Sequence, residues 1–408
     1  SFTLILSERL LRRYRHHPLM NTFLTTLTAQ VFSIPIVGNF TFQYNLLSLF
    51  LSPFFLFYFS YIVFPLTFLT ILIPFTSPMF YPLFRLYERV ITAVSSIKVL
   101  TFTIGGFNSF RQTLYYFVTF LFFRQLELKR PYKKWGVLLI LLTFFYYRLA
   151  ISTTVAYIDV GQGDATFIQT SFQQCTMLID TGGPIFPSIT FHPGERNVLP
   201  YLKAHGLTSI DMLVVSHGDR DHIGDYRYIL DEIKVKAILF SVYDTSELKQ
   251  EIIAYSKQKN IPYYELKAGD TLSCGPLTIH IHAPERNMMD NNDRSLVFTM
   301  NIYGDKFLFT GDISSQVEEE ISQNLPRDIT FLKVAHHGSR FSTSNTLLRW
   351  IRPDYAIISV GQNHYGHPSP EVVERLHNYD VKLYTTQEDG TIVIKYFFNR
   401  RYIIPTRK

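Results

Sequence analysis

Four side chains of the kind that hold metal ions fall within six residues. They are His217, Asp219, Asp221 and His222, in Ser216-His217-Gly218-Asp219-Arg220-Asp221-His222-Ile223-Gly224. The run follows an apolar stretch, Met212–Ser216. Carboxylates and imidazoles packed this densely repel or stay idle unless a cation joins them, so the spacing points to a divalent metal site. Three more segments offer the same chemistry. Phe309-Thr310-Gly311-Asp312 presents a carboxylate, Ala335-His336-His337-Gly338-Ser339 two imidazoles, and Gly366-His367-Pro368-Ser369-Pro370 one more. Singly, each reads as a turn or a hydrogen-bonded bystander. Together they share a placement beside glycine at the ends of apolar runs, where active sites of layered folds lie. Adjacent His336 and His337 cannot easily both face one centre. One is expected to bind metal and the other to serve the substrate or a second ion.

The elements that must position these residues begin near Ser152. Short β-rich runs recur from there: TVAYID, TMLID, MLVVS, AILF, LVFTMNI, KFLFT, FLKVA and YAIISV. Helical stretches are expected between several of them, at 199–205, 248–259, 316–324 and 370–377. Many strands with helices interposed over about 250 residues mean an α/β domain with covered sheets. Cys175 and Cys274 are the two cysteines, which excludes a disulfide-dense scaffold and a cysteine-rich zinc module.

The preceding 150 residues obey a different solvent. They carry a balance of +11, against −5 for the remainder. No Asp, Glu, Lys or Arg occurs across the 69 residues from His16 to Phe84. A spanning helix needs about 20 apolar residues, so two or three crossings fit. The clearest is 46–64, and 66–75 reads as part of a second. Pro53, Pro65, Pro74, Pro78 and Pro82 punctuate the run, as in a channel or in kinked structural helices. Shorter apolar runs at 114–123 and 135–147 span only with flanking polar residues, Arg148 snorkelling. The segment 85–100 reads as a helix at the interface or on the bundle. Basic clusters at Arg9, Arg12, Arg13 and Arg15, and at Arg124, Lys129, Arg130, Lys133 and Lys134, belong in the cytoplasm by the positive-inside rule. One crossing by 135–148 would then put residues beyond 150 outside it; the alternative is a juxtamembrane helix with a cytoplasmic second domain. The chain starts without Met or a signal peptide, which reads as a fragment of a longer membrane protein.

The ordered set HxDxDH, TGD, HHGS and GHPSP resembles the metallo-β-lactamase fold, with Asp219 where the usual HxHxDH has its second His. Asp159-Val160-Gly161-Gln162-Gly163-Asp164-Ala165 is similar to the DVGQGDA signature of the ComEC branch. Ile179-Asp180-Thr181-Gly182-Gly183 resembles the fold's first Asp-containing turn. With the apolar segment before it, the chain looks like the carboxy-terminal portion of a ComEC-family DNA-internalisation channel. The resemblance implies a fold class: an α-helical polytopic membrane domain over 1–150, then an α/β metallo-β-lactamase-like αββα sandwich over 151–408. It implies a dinuclear site. His217 and Asp219 would help hold one ion, Asp221 and His222 the other, and Asp312 would bridge. His336 (or His337) and His367 would complete the shells or touch the phosphate. Many fold members supply a further His before the TGD Asp. Here that segment, Asn291-Asn292-Asp293-Arg294-Ser295, lacks one, although His280 and His282 precede it. One metal would then rely on water or Asp293. The oxygen-rich set favours Mn²⁺, with Zn²⁺ open.

Two such ions can bind phosphodiester oxygens and acidify a water. Asp221 or His337 would move the proton. The resemblance thus implies a nuclease that degrades one DNA strand while the other crosses the cytoplasmic membrane, with the nuclease domain extracytoplasmic. Expected partners are DNA, the lipid bilayer and other competence proteins, including a DNA receptor and a cytoplasmic motor, since no GxxxxGK[ST] loop is present. Arg294, Arg340, Arg349 and Arg352 are candidate phosphate contacts, or ordinary surface arginines. Two alternatives stay open: the same channel with a non-catalytic DNA-binding domain, and a membrane-tethered hydrolase of another phosphodiester or a lactone.

Overall fold

The computed structural model describes residues 16–95, 97, 100–186, 190–398 and 400–407. The chain divides into two compact units, Ser1–Tyr147 with Lys203–Gly206, and Arg148–Leu202 with Leu207–Lys408.

The first unit is helical. Helix Pro18–Thr41 is followed by Leu47–Tyr58, which runs through a π-turn, Phe59–Val63, into Phe64–Leu72. The apolar runs 46–64 and 66–75 are therefore not separate crossings: one helical stretch carries both as far as Leu72. Pro65 has no N–H to give to the preceding turn, and the widened π-turn ahead of it absorbs that loss. Among the described residues, two helices are long and apolar enough to cross a membrane, Met20–Thr41 and Leu47–Leu72. Helix Ser77–Ser95 covers much of the segment expected at the interface but begins before Arg85. Helices Ser109–Glu127 and Lys133–Phe144 hold the two shorter apolar runs. The latter has 12 residues. At ~1.5 Å per residue it rises about 18 Å, well short of a ~30 Å hydrocarbon core. A crossing by 135–148 would therefore need the flanking residues as well as this helix. The Arg9, Arg12, Arg13 and Arg15 cluster lies outside the described residues, as does the Arg148 side chain.

The second unit is built on two sheets. Strands β1 (Thr153–Tyr157), β2 (Thr166–Gln169), β3 (Thr176–Ile179), β4 (Ser209–Val214), β5 (Lys234–Ser241) and β6 (Tyr263–Leu266) lie in that order, continued beyond β1 by the last two strands of the chain. The second sheet takes β7 (Thr271–Cys274), β8 (Leu277–Ala283), β9 (Val297–Ile302), β10 (Asp305–Phe309), β11 (Phe331–Lys333), β12 (Tyr355–Ile358) and β13 (Lys382–Thr385), in that order. The sequence's last strands are β14 (Ile392–Phe397) and β15 (Arg400–Pro405), so the first sheet has eight members and the second seven.

Alternation along the strands makes the layers. Phe307 and Phe309 of β10 face the inter-sheet core with Tyr157, Met177, Phe298 and Phe331. Leu308, between them, faces the opposite way, onto the helices that cover the second sheet. Those helices are α3 (Ser315–Ile321), α4 (Asn345–Ile351) and α5 (Pro370–Asn378). Helices α1 (Tyr226–Glu232) and α2 (Glu247–Gln258) cover the other sheet, where Ile229 and Ile252 meet Phe167, Leu178 and Phe240. The order is α, β, β, α. A disulfide between Cys175 and Cys274, both buried, ties the residue before β3 to the end of β7 across the sandwich.

Strands β3 to β6 run parallel, as do β10 to β13. Loops leaving β3, β4, β10 and β11 can therefore gather at one end of the sandwich.

Candidate metal centre

The loop after β4 supplies His217, Asp219, Asp221 and His222; the one after β10 supplies Asp312; and the one after β11 supplies His336 and His337. Ligand atoms of Asp164, His222, Asp312 and His337 all lie within 4.8 Å of one another, and all four residues are buried.

Each central imidazole is oriented from behind. His222 Nδ1 donates to Asp180 Oδ2 at 2.9 Å. Asp180 is fixed in turn by Ser216, whose N–H reaches Oδ1 at 2.8 Å and whose hydroxyl reaches Oδ2 at 2.6 Å. His337 Nδ1 donates to the Ser359 carbonyl at 2.9 Å. This leaves Nε2 of both rings facing inward. His222 Nε2 is 3.3 Å from Asp312 Oδ2. His337 Nε2 is 3.3 Å from Asp221 Oδ2 and 3.6 Å from Asp312 Oδ2. His217 packs on His222 with ring centres 4.2 Å apart. Its Nε2 lies 3.6 Å from Asp219 Oδ2. All three Nε2 atoms are buried without a hydrogen-bond partner among the described residues. Buried imidazole nitrogens left open toward carboxylates, with their other nitrogens anchored, fit a divalent ion.

The charges agree. Burial would raise the Asp312 carboxyl, but His222 and His337 hold it well below its ordinary range. Burial would lower the His222 pKa, but Asp312 and Asp180 hold it well above. Without a metal the His222 and His337 rings thus favour protons, and an ion must displace them.

Two positively charged or acidic partners escaped sequence reasoning. Asp164 belongs to the DVGQGDA segment, which carried a resemblance but no role. Gly163 has φ +138, and a Cβ there would fall 2.3 Å from the Asp221 carbonyl oxygen. Only glycine lets that loop lie on the 217–222 turn. Asp164 then approaches the rings from their Nδ1 side, 3.8 Å from His222 and 3.9 Å from His337. It stands behind the imidazoles, whereas Asp221 and Asp312 stand before them. Lys333 ends β11 and pairs with Asp164 at 2.8 Å, both nearly inaccessible. A lysine inside the apolar FLKVA run was the legible signal for it.

Other candidates take different places. Asp219 lies at the mouth, its side chain 43% exposed. The Asn291 amide donates to its Oδ1 at 2.9 Å. His336 turns away from His337 and meets His367, ring centres 5.6 Å apart. His367 Nδ1 is buried without a partner, and burial with His336 and His337 nearby lowers its pKa to about 4. Asp293 is not aimed into the centre; its Oδ1 accepts the Ser314 N–H at 2.7 Å. His280 and His282 stay on β8, beside Thr271 and Thr299. Arg294 bonds the Met288 carbonyl and the Thr245 hydroxyl. Arg340 is exposed three residues beyond His337. Arg349 and Arg352 line a depression of about 690 Å³ with Lys382 and Arg401, at the start of β12 and β13 rather than at their site end.

Residues 158–362 match the profile of the Metallo-beta-lactamase superfamily. Along 97% of its length the chain is 29% identical to ComE operon protein 3 of Bacillus subtilis, covering 54% of that protein. It is 31% identical to Recombination protein 2 of Haemophilus influenzae over 67% of this chain and 33% of that one. It is 27% identical to Competence protein ComA of Neisseria gonorrhoeae over 64% and 35% respectively. The chain therefore spans about half, or less, of the curated relatives it matches.

Proposed function

The chain belongs to the metallo-β-lactamase superfamily and is ComEC-like, and from that premise we propose that its second unit is a metal-dependent nuclease serving DNA uptake. The observation that carries the reading is the set of three buried, unpartnered imidazole nitrogens facing Asp221 and Asp312.

His222, Asp312, His337 and Asp221 would hold the principal ion. Buried His217 and half-exposed Asp219 would serve a second, Mn²⁺ or Zn²⁺ in either case. Such ions supply Lewis acidity toward the phosphodiester oxygens and toward water. The chain's own groups do the rest. Asp180 and the Ser359 carbonyl keep both rings in the tautomer that offers Nε2. With Nδ1 committed, His337 acts as a ligand rather than as the proton carrier. Asp219, half-exposed and steadied by Asn291, would hold the second ion within reach of solvent.

In the cell, this nuclease would degrade one DNA strand while the other crosses the cytoplasmic membrane. A DNA receptor and a cytoplasmic motor would act with it. The Cys175–Cys274 bond supports placing the domain on the oxidising, extracytoplasmic side.

The test uses the whole chain in detergent with end-labelled single-stranded DNA, a small phosphodiester and a lactone, with and without Mn²⁺. Cleavage of both phosphodiesters is expected, abolished by chelation and reduced at least ~100-fold by Asp312→Asn. A chain that binds Mn²⁺ but cleaves neither, or cleaves only the lactone, overturns the proposal.

A further inference from the structure

The turn carrying His336 and His337 is held from outside the centre. Left-handed backbone recurs along it: His336 at φ 51, His337 at 53, Gly338 at 80 and Thr343 at 58. For a β-branched residue such as Thr343 this conformation is a genuine outlier, so its surroundings must impose it. Glu318 on α3, fully buried, does so with both carboxylate oxygens. Oε1 accepts the Thr343 N–H at 2.7 Å and Oε2 the Ser344 N–H at 2.6 Å. From the other side, Arg375 on α5 donates to the Ser342 and Thr343 carbonyls. The Ser342 hydroxyl then reaches the carbonyls of Ser339 and Ala335, each at 2.9 Å. Ala335 directly precedes His336. A continuous path thus joins a carboxylate that touches no metal-binding residue to the turn that aims His337.

We propose that Glu318 is a positioning residue for the metal centre: its two carboxylate oxygens lock Thr343 and, through Ser342, the His336–His337 turn. The proposal rests on His337 being a ligand. Two N–H groups converge on Glu318, so two acceptor oxygens are required. An amide, or a protonated carboxyl, offers one acceptor and turns a donor against the second N–H.

This clamp has its own dependence on pH. Burial pushes the Glu318 carboxyl up to about 7, against the lowering effect of the Ser344 and Thr343 N–H groups and of Arg375. Arg375 is the charged group facing it; Glu319 and Glu320 on the same helix are exposed. The carboxyl is raised from 4.5, so the folded chain holds a proton that the unfolded chain has lost. Global stability therefore falls as pH rises from about 4.5 to about 7. The clamp runs the other way and is complete only above 7.

Mn²⁺ affinity and melting temperature of the whole chain in detergent test this, with Glu318→Gln against wild type at pH 8 and pH 6. The variant is expected to bind Mn²⁺ about 10-fold more weakly at pH 8. The two should converge to within about 2-fold at pH 6, where the wild-type clamp is also broken. The variant's melting temperature at pH 8 should match or exceed wild type, because a buried charge has gone. Equal affinities at both values overturn the clamp while leaving the centre intact. So does an equal loss at both values with a lowered melting temperature, since that marks a merely structural residue. Wild type binding no Mn²⁺ at either pH sinks the centre and the clamp together. Ser342→Ala, which cuts the path while sparing Glu318, must also weaken Mn²⁺ binding at pH 8; unchanged affinity there overturns the proposal even if Glu318→Gln fails to fold.

Discussion

His222 shows what a single residue needs in order to serve a buried ion. Its ring must be neutral, in one tautomer, and aimed. Asp180 supplies the tautomer and the aim through Nδ1, and Ser216 fixes Asp180 with two donors. Asp180→Asn keeps the size but weakens the acceptor, so Mn²⁺ affinity should drop about 10- to 100-fold. Titration of the folded variant against wild type checks this; affinity within 2-fold of wild type would show that His222 needs no such partner. The same scale explains a limit of sequence reading. In HxDxDH the six positions announce a cation, but Asp164 and Lys333, 169 residues apart, become neighbours only when β1 and β11 bring their ends together.

At the scale of elements, the segment 291–297 has a purpose other than the one sought in it. It lacks the expected His, and its polar residues bind loops instead of metal. Asn291 steadies Asp219, and Asp293 receives the Ser314 N–H. The Ser295 hydroxyl accepts the Asp312 N–H at 3.2 Å. A Cβ on Gly311 would come within 2.5 Å of the Ser295 Cβ, so nothing larger fits between these loops. Ser295→Ala leaves a buried Asp312 N–H without its acceptor, a cost of about 1–3 kcal/mol. A lowered melting temperature together with weaker Mn²⁺ binding is expected; an unchanged melting curve would remove this role. Helix Leu47–Leu72 makes a parallel point. Prolines were legible as interruptions, yet the π-turn before Pro65 lets one helix continue through.

For the molecule as a whole, the Cys175–Cys274 disulfide cross-links the two sheets, closing a separation of 99 residues. Closing a loop of that length makes a disulfide worth about 4–5 kcal/mol, chiefly by restricting the unfolded chain. Replacing both cysteines with alanine should lower the melting temperature of the second unit while leaving Mn²⁺ stoichiometry unchanged; an unaltered melting temperature would deny the bond any stabilising part. Both sulfurs are buried and joined, so thiol labelling of the folded chain cannot report which side of a membrane they occupy.

Composition alone separated an apolar, basic first segment from a strand-rich second one, because a long uncharged run and an alternating apolar pattern suit different surroundings. Spacing alone marked the residues able to hold a cation, since ligands at a strand end stay close along the chain. Tertiary structure decided the rest. It chose His337 over His336 to face the carboxylates, brought Asp164, Asp180 and Lys333 behind the rings, and sent Arg349 and Arg352 to the other end of the sheet. These outcomes depend on strand order and on which way a turn is wound, and neither leaves a local trace in the sequence.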